Sequence, residues 1–474
     1  MPDPGSPPCR ERAALRELEV TAEVYVLGLG KGEYLVYAPL RRTAFLAGTR
    51  LVRTLRAIQS HALTPAMDPA GEHLAFFREL GIVDGSPERA PMPDAYPDPE
   101  PTELTLLLTT ACNLRCSYCY ASTGETRAEQ MSLETARSGI DYVSRNALRR
   151  GAGTFSISYH GGGEPTRNFA VLGGSLAYAH EVARRGGLEC RSSICTNGVL
   201  PDDQIDWIVS HVSGATVSFD GLPEVHDRHR LKISGEGSSG EVMRTLRRFD
   251  QASYSFGVRI TTVAGDIARL PDSVEFILSS FHPRAILVEP VYLLGRGSRQ
   301  ESAETAEFIA AFRAAQAVAR AHGHRLRFSA VRPEVLTSHF CQATQGNFCL
   351  APSGRVTSCY EVFSEDRPYA EKFFYGAAGA APGEYVFDRA VLAGLRAQAV
   401  ENREFCRDCF CRWTCAGDCY HKCLAFHGGE EPLGGSGRCN VIRELTKDEL
   451  LGNIAAAGGL VWRGQEVNGC DRLC

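Results

Sequence analysis

From residue 104 to about 330, short apolar runs of strand length alternate with longer stretches whose apolar residues recur three and four apart. Strands are predicted at 104–109, 154–159, 190–196, 216–219, 258–263 and 285–290, with a weaker one at 326–329. Helices are predicted between them at 132–149, 169–185, 201–212, 242–252 and 273–280, with Ser132 as the N-cap of the first. Regular β-α repetition implies parallel strands joined by right-handed crossovers. Six or so such units predict a partial (β/α)6 barrel of TIM type, with its chemistry at the C-terminal ends of the strands.

The flanks read differently. Residues 1–18 are expected to form an arm. Alternating residues around the Gly-rich stretch at 28–32 predict two short strands, followed by helices at 44–59 and 73–80, so that 19–84 reads as a small α+β module. Prolines from Pro87 to Pro101 mark 85–103 as a linker without regular structure. Residues 331–445 carry most of the cysteines, and 446–474 are expected as a C-terminal tail.

Composition narrows the class. The 474 residues carry a net charge of -5, so no basic field argues for nucleic acid. No signal peptide and no apolar run of about 20 residues are present, which predicts a cytoplasmic protein without a membrane segment. In that compartment 18 cysteines point to metal rather than to disulfides.

The densest chemistry lies directly after the first barrel strand. Cys112, Cys116 and Cys119 are spaced C-x3-C-x2-C, which suits three ligands of a four-iron cluster with one iron left open. A zinc loop or a disulfide-bearing turn are the plainer readings, although zinc sites usually pair C-x2-C half-sites. With the aromatic Tyr118 before the last thiol, the loop resembles the signature of radical S-adenosylmethionine (SAM) enzymes. After the second strand comes His160-Gly161-Gly162-Gly163-Glu164-Pro165-Thr166. A flexible turn would look the same in isolation, but Gly162, Gly163 and Glu164 match the motif with which that family meets the SAM amino group. The resemblance further implies SAM contacts from Tyr118, Asn197, Ser218 and Glu289, and from Arg230 or Arg259 to the carboxylate. Asp220 has no evident role beyond ordering its Gly turn.

A second field follows: Cys341, Cys349 and Cys359, then Cys406, Cys409, Cys415 and Cys419 spaced C-x2-C-x5-C-x3-C, then Cys439. A zinc knuckle is the plain alternative. Behind a radical SAM loop the field resembles the SPASM domain, which holds two auxiliary clusters. That resemblance implies one cluster on Cys341, Cys359 and Cys419, with Cys349 as fourth ligand despite its unusual spacing, and another on Cys406, Cys409, Cys415 and Cys439. It therefore implies three 4Fe-4S clusters and SAM as cofactors. Cys411, Cys423, Cys470 and Cys474 receive no role.

The family resemblance implies an oxidoreductase that modifies a peptide: a maturase crosslinking a ribosomal (RiPP) precursor through a thioether or carbon–carbon bond. Its partners would be the precursor with its leader and a flavodoxin- or ferredoxin-like electron donor. Residues 19–84 resemble the winged-helix-type leader-binding module called the RiPP recognition element (RRE), which adds a leader as an extra strand; a cap that binds nothing is the alternative. A rival is a sulfatase-type maturase forming formylglycine. Such enzymes place an Asp directly after the equivalent of Cys359, where this chain has Tyr360 and then Glu361, a candidate base. A third reading is a non-catalytic metal or peptide-binding scaffold, which would have no need of the Gly-rich SAM turn.

Overall fold

A computed structural model describes residues 18–91, 98–301, 304–431 and 433–465. Almost all of the expected arm, part of the linker, and Cys470 and Cys474 lie outside these residues.

Three antiparallel strands open the chain: β1 (Tyr25–Gly30), β2 (Glu33–Ala38) and β3 (Thr43–Gly48). The helix expected from residue 44 starts at Thr49, because Ala44–Ala47 instead pair with β2 and alternate between its two faces. Helices Thr49–Gln59 and Glu72–Glu79 cover one face, packing Val52, Leu55, Ile58 and Phe77 on Val36 and Phe45.

The central unit follows the predicted alternation. Its strands are β4 (Glu103–Leu107), β5 (Thr154–His160), β6 (Glu189–Thr196), β7 (Gly214–Ser218), β8 (Phe256–Thr262), β9 (Ala285–Pro290) and the two-residue β10 (Leu326–Arg327). All are parallel and ordered in sequence. The intervening helices bury their apolar stripes on the sheet, and Ser132 caps the first by accepting from Thr135 N at 3.0 Å. The sheet does not close. Its other end, β4, pairs in parallel with β11 (Cys349–Leu350), and the sheet continues antiparallel through β12 (Arg355–Thr357), β13 (Phe374–Ala378) and β14 (Tyr385–Phe387). The Cys-rich region is thus hydrogen-bonded to the barrel's first strand.

Residues 446–465 depart from the expected tail. Helix Cys439–Ala456 runs through its start, and β15 (Val461–Arg463) pairs antiparallel with β3. Leu450, Ile454 and Trp462 pack with Leu35, Tyr37 and Ala44, covering the other face of the N-terminal sheet. Trp413 Nε1 also donates to Glu23 at 2.9 Å, tying the first module to the Cys-rich region.

Candidate active site

The thiol loop sits at the C-terminal end of β4 and is held through its backbone. Arg115 N and Ser117 N donate to Leu231 O and His229 O, while Arg296 Nε donates to Cys116 O at 2.8 Å. Cys112, Cys116 and Cys119 carry no disulfide and lie close enough for each charge to act on the others. Burial pushes the Cys112 thiol up to about 11 and Cys116 up to about 12. Three half-buried thiols that would repel as anions fit a polynuclear cation that takes them as thiolates.

The Gly-rich turn is pressed against this loop. Gly163 N and Glu164 N donate to Thr109 O and Ala111 O, and a Cβ on Gly163 would stand 2.2 Å from Ala111 O. Glu164 does not offer a free carboxylate. It is 2% exposed and accepts from Thr166 N and Oγ1, Thr196 Oγ1 and Asn197 N, the last at 2.7 Å. Its acid therefore knits the end of β5 to the end of β6, while Gly161 O accepts from Tyr120 OH at 2.9 Å. Asn197 continues the network, with Nδ2 2.7 Å from Asn113 Oδ1 and 3.6 Å from Cys112 Sγ.

The two arginines expected at the SAM carboxylate have different surroundings. Arg230 is 6% exposed and grips Asp220 through Nε and Nη2 at 2.9 and 3.1 Å. Asp220 also accepts from Tyr118 OH and from Thr261 N. Burial alone would raise this carboxyl, but Arg230 outweighs it and holds Asp220 below the ordinary range. Asp220 thus does more than order its Gly turn. With Arg230 it forms the buried strut behind Tyr118, which Arg230 also covers at 5.2 Å from the ring centre. Arg259, opposite Ser218 in the β7–β8 register, is part-exposed and has no ion pair among the described residues.

Glu289 is turned toward the Cys-rich region. It is 1% exposed and accepts from Arg438 Nη1 at 2.8 Å, from Ser329 N at 2.8 Å and from Tyr292 OH. Lys422 lies 3.3 Å above the Tyr292 ring centre.

The second thiol field forms two groups. Cys406, Cys409, Cys415 and Cys439 line one pocket, with Cys411 as a fifth thiol in its wall. Cys419 and Cys341 both lie close enough to act on Cys359, and burial followed by the charges of Glu361, Cys419 and Cys341 drives the Cys359 thiol far up. Cys349 packs with Leu107, Ala121 and Phe363, and its Sγ accepts from Asn347 Nδ2 at 3.1 Å. Next to Cys359, Glu361 is 3.0 Å from His421 Nδ1, and ligand atoms of Cys359, Glu361 and His421 all lie within 4.8 Å of one another. Cys423 approaches Gly417 O and Arg403.

The segment after Cys359 reaches the Gly-rich turn. Tyr360 packs tilted on His160 with ring centres 4.1 Å apart, and Phe363 fills the space where a Cβ of Gly162 would stand, at 2.5 Å. Sequence reasoning missed Arg296, His421, Lys422 and Arg438. The first holds the thiol loop, and the others follow or precede cysteines at helix ends, a position that gives no periodic signal.

The radical SAM superfamily model matches residues 106–277. Over 179 residues the sequence is 28% identical to the sporulation killing factor maturation protein SkfB of Bacillus subtilis (strain 168), covering 37% of this chain and 39% of SkfB. The chain therefore spans about two fifths of that curated relative's length. Its fold is similar to that of anSMEcpe with bound AdoMet, at TM-score 0.55 and 17% identity over 74% of this chain and 96% of that one. It is also similar to Streptococcus suis SuiB bound to precursor peptide SuiA, at TM-score 0.50 and 12% identity over 90% and 98%. No described helix is long and apolar enough to cross a membrane. A thiol loop at the end of β4, a Gly turn pressed on it from β5 and a sequential parallel sheet beneath both thus coincide with the matched segment, and residues 106–277 form a radical SAM domain.

Proposed function

We propose that this chain is a peptide maturase that oxidatively crosslinks a ribosomally made precursor through a thioether or carbon–carbon bond. The observation that carries the reading is the contact of 359–363 with the Gly-rich turn: Tyr360 on His160 and Phe363 on Gly162 make the Cys-rich region a wall of the SAM site. A substrate held there would meet both thiol fields.

Cys112, Cys116 and Cys119 would hold the SAM cluster. Cys406, Cys409, Cys415 and Cys439 would hold one auxiliary cluster, and Cys341, Cys359 and Cys419 another, with Cys349 as candidate fourth ligand. The SPASM reading and the total of three clusters are part of this proposal. When bound, SAM and its cluster supply a 5′-deoxyadenosyl radical that removes a hydrogen atom, and auxiliary clusters supply a place for the electron left behind. The chain's own residues do the rest. The backbone of 161–163 and the side chains of Ser218 and Arg259 orient SAM, Tyr118 borders it, and the Asp220–Arg230 strut fixes that wall. The Glu289–Arg438 pair holds the Cys-rich region over the barrel and keeps water out. Residues 19–84 would bind the leader as an RRE. The names of two similar proteins support the substrate class: SkfB is a maturation protein, and SuiB binds precursor peptide SuiA.

One observation favours a second reading, formylglycine formation on a protein. Glu361 is buried beside Cys359 and paired with His421, where a base for that reaction would be required. Anaerobic co-expression with a candidate short precursor peptide, followed by mass spectrometry, separates the two. Loss of two hydrogens with fragmentation suppressed between two residues supports crosslinking. An unchanged peptide, with SAM still cleaved in its absence, overturns it and favours the protein substrate.

A further inference from the structure

We infer that the fourth corner of the cluster site on Cys341, Cys359 and Cys419 is closed by Glu361 and His421, which bind one iron together where a fourth thiolate would otherwise stand. The inference rests on the reading of those three cysteines as an auxiliary-cluster site.

The chain uses one device twice. Cys359 is followed two residues later by Glu361, and Cys419 two residues later by His421. Residues 359–362 close a turn, with Val362 N donating to Cys359 O at 3.0 Å, and Cys419 stands directly before helix Tyr420–Phe426. Turn and helix start bring the carboxylate and the imidazole together, with Glu361 Oε2 3.0 Å from His421 Nδ1. Ligand atoms of Cys359, Glu361 and His421 all lie within 4.8 Å of one another, and all three residues are buried, as is Cys419.

Protein groups alone serve this pair poorly. Among the described residues no lysine or arginine forms an ion pair with Glu361, and Lys422 and Arg259 act on it only from farther off. The imidazole is walled by Phe373 and Tyr369, edge-on at ring-centre distances of 5.6 and 6.4 Å. A buried carboxylate has lone pairs for about four partners, so one hydrogen bond leaves most of them unused. A metal ion takes them up. Bonds of roughly 2.1 Å at a tetrahedral angle set two ligand atoms about 3.4 Å apart, close to the separation found here. Iron replaces the proton shared by Nδ1 and the carboxylate, and that proton leaves to solvent. Cys349, the thiol otherwise available for this corner, already accepts from Asn347 Nδ2 at 3.1 Å and packs among Leu107, Ala121 and Phe363.

Replacing thiolate ligands by histidine raises the potential of an iron–sulfur centre. A cluster closed by Glu361 and His421 thus takes up the electron left on an oxidised substrate more readily than an all-thiolate one.

The test is pulsed EPR on the full chain, labelled with 15N-histidine, loaded anaerobically with iron and sulfide, and reduced without SAM. The wild type should hold about twelve irons and show one directly bound histidine nitrogen. His421→Gln should lose that coupling. His421→Cys should keep the iron and lower the midpoint potential of the same cluster, and Cys349→Ala should keep both iron and nitrogen signal. The wild-type spectrum depends on no variant folding: about twelve irons without a histidine coupling overturns the inference and leaves the three-cluster reading standing. Loss of about four irons in Cys349→Ala but none in His421→Gln overturns it as well. If the wild type holds about eight irons or fewer and Cys359→Ala holds as many, the auxiliary site itself is overturned, and this inference with it.

Discussion

Glu289 at the end of β9 and Arg438 beside Cys439 meet at 2.8 Å across 149 residues of sequence. Arg438 also reaches Asp418 at 3.3 Å, so one guanidinium joins the barrel to the Cys-rich region. Burial pushes the Glu289 carboxyl up, but Arg438, Lys422 and Arg259 together bring it down to about 2. Glu289→Gln leaves Arg438 buried with half its partners, and loss of about 3 kcal/mol in urea titrations is expected. Activity should fall further than stability, because the wall over the SAM site loosens.

Arg230 and Arg259 should separate cleanly. Arg230→Leu strands a buried Asp220 and should cost roughly 3–5 kcal/mol of stability. Arg259→Leu removes no ion pair seen among the described residues, only a more distant charge that helps hold Glu289 ionised, so it should cost less stability than Arg230→Leu. Its SAM affinity should fall roughly 10- to 100-fold, the worth of one charge-assisted contact. Melting curves and SAM titrations on both variants decide this.

Gly163→Ala adds a methyl 2.2 Å from Ala111 O, a backbone atom that cannot rotate away. The turn must shift off the thiol loop. SAM binding should be lost, while the iron content of the Cys-rich region is kept.

The two thiol fields should fail in different ways. Cys116→Ala should abolish SAM cleavage and leave the auxiliary iron in place. Cys415→Ala should spare SAM cleavage and remove the modified product. A fully active Cys415 variant would sink the auxiliary-cluster role, and total loss of iron in Cys116→Ala would show that the fields do not load independently.

His226 is fully buried between Ser238 Oγ at 3.0 Å and Asp220 N at 3.3 Å, and burial lowers it to about 4. The folded chain thus takes up this proton less readily than the unfolded one. Stability is whole above the ordinary value of 6.5 and drains as pH falls from there toward 4. Up to about 3 kcal/mol is at stake. Urea midpoints measured between pH 7 and 4 should fall less in His226→Gln, whose side chain takes up no proton.

Much of this was legible in the chain because local pattern and tertiary fold agree. The β9 boundaries at Ala285 and Pro290, the Ser132 cap and the thiol spacing all survive folding unchanged. Ala44–Gly48 misled because small apolar residues suit a helix as well as a strand, and pairing with β2 decides between them. Glu164 and Arg230 stood out in the chain, but their structural partners did not. A motif shows that a carboxylate and a guanidinium are needed, whereas their partners Asn197 and Asp220 are fixed only by neighbouring strand ends. Arg438, Lys422 and His421 were hidden because what they meet lies on elements far away in sequence.

The strand that finishes the N-terminal sheet is made long after the strands it completes. Trp462 packs beside Tyr37 and Ala44, so one face of the N-terminal module stays uncovered until the ribosome has passed residue 462. At ordinary elongation rates that wait is roughly 20–80 s. During it the nascent protein carries a bare β3 edge and an exposed Leu35–Tyr37 face, a substrate for chaperones and a site for pairing with neighbouring chains. Stop codons or ribosomal stalling before the last helix should therefore yield aggregates whose contacts begin at the amino-terminal end.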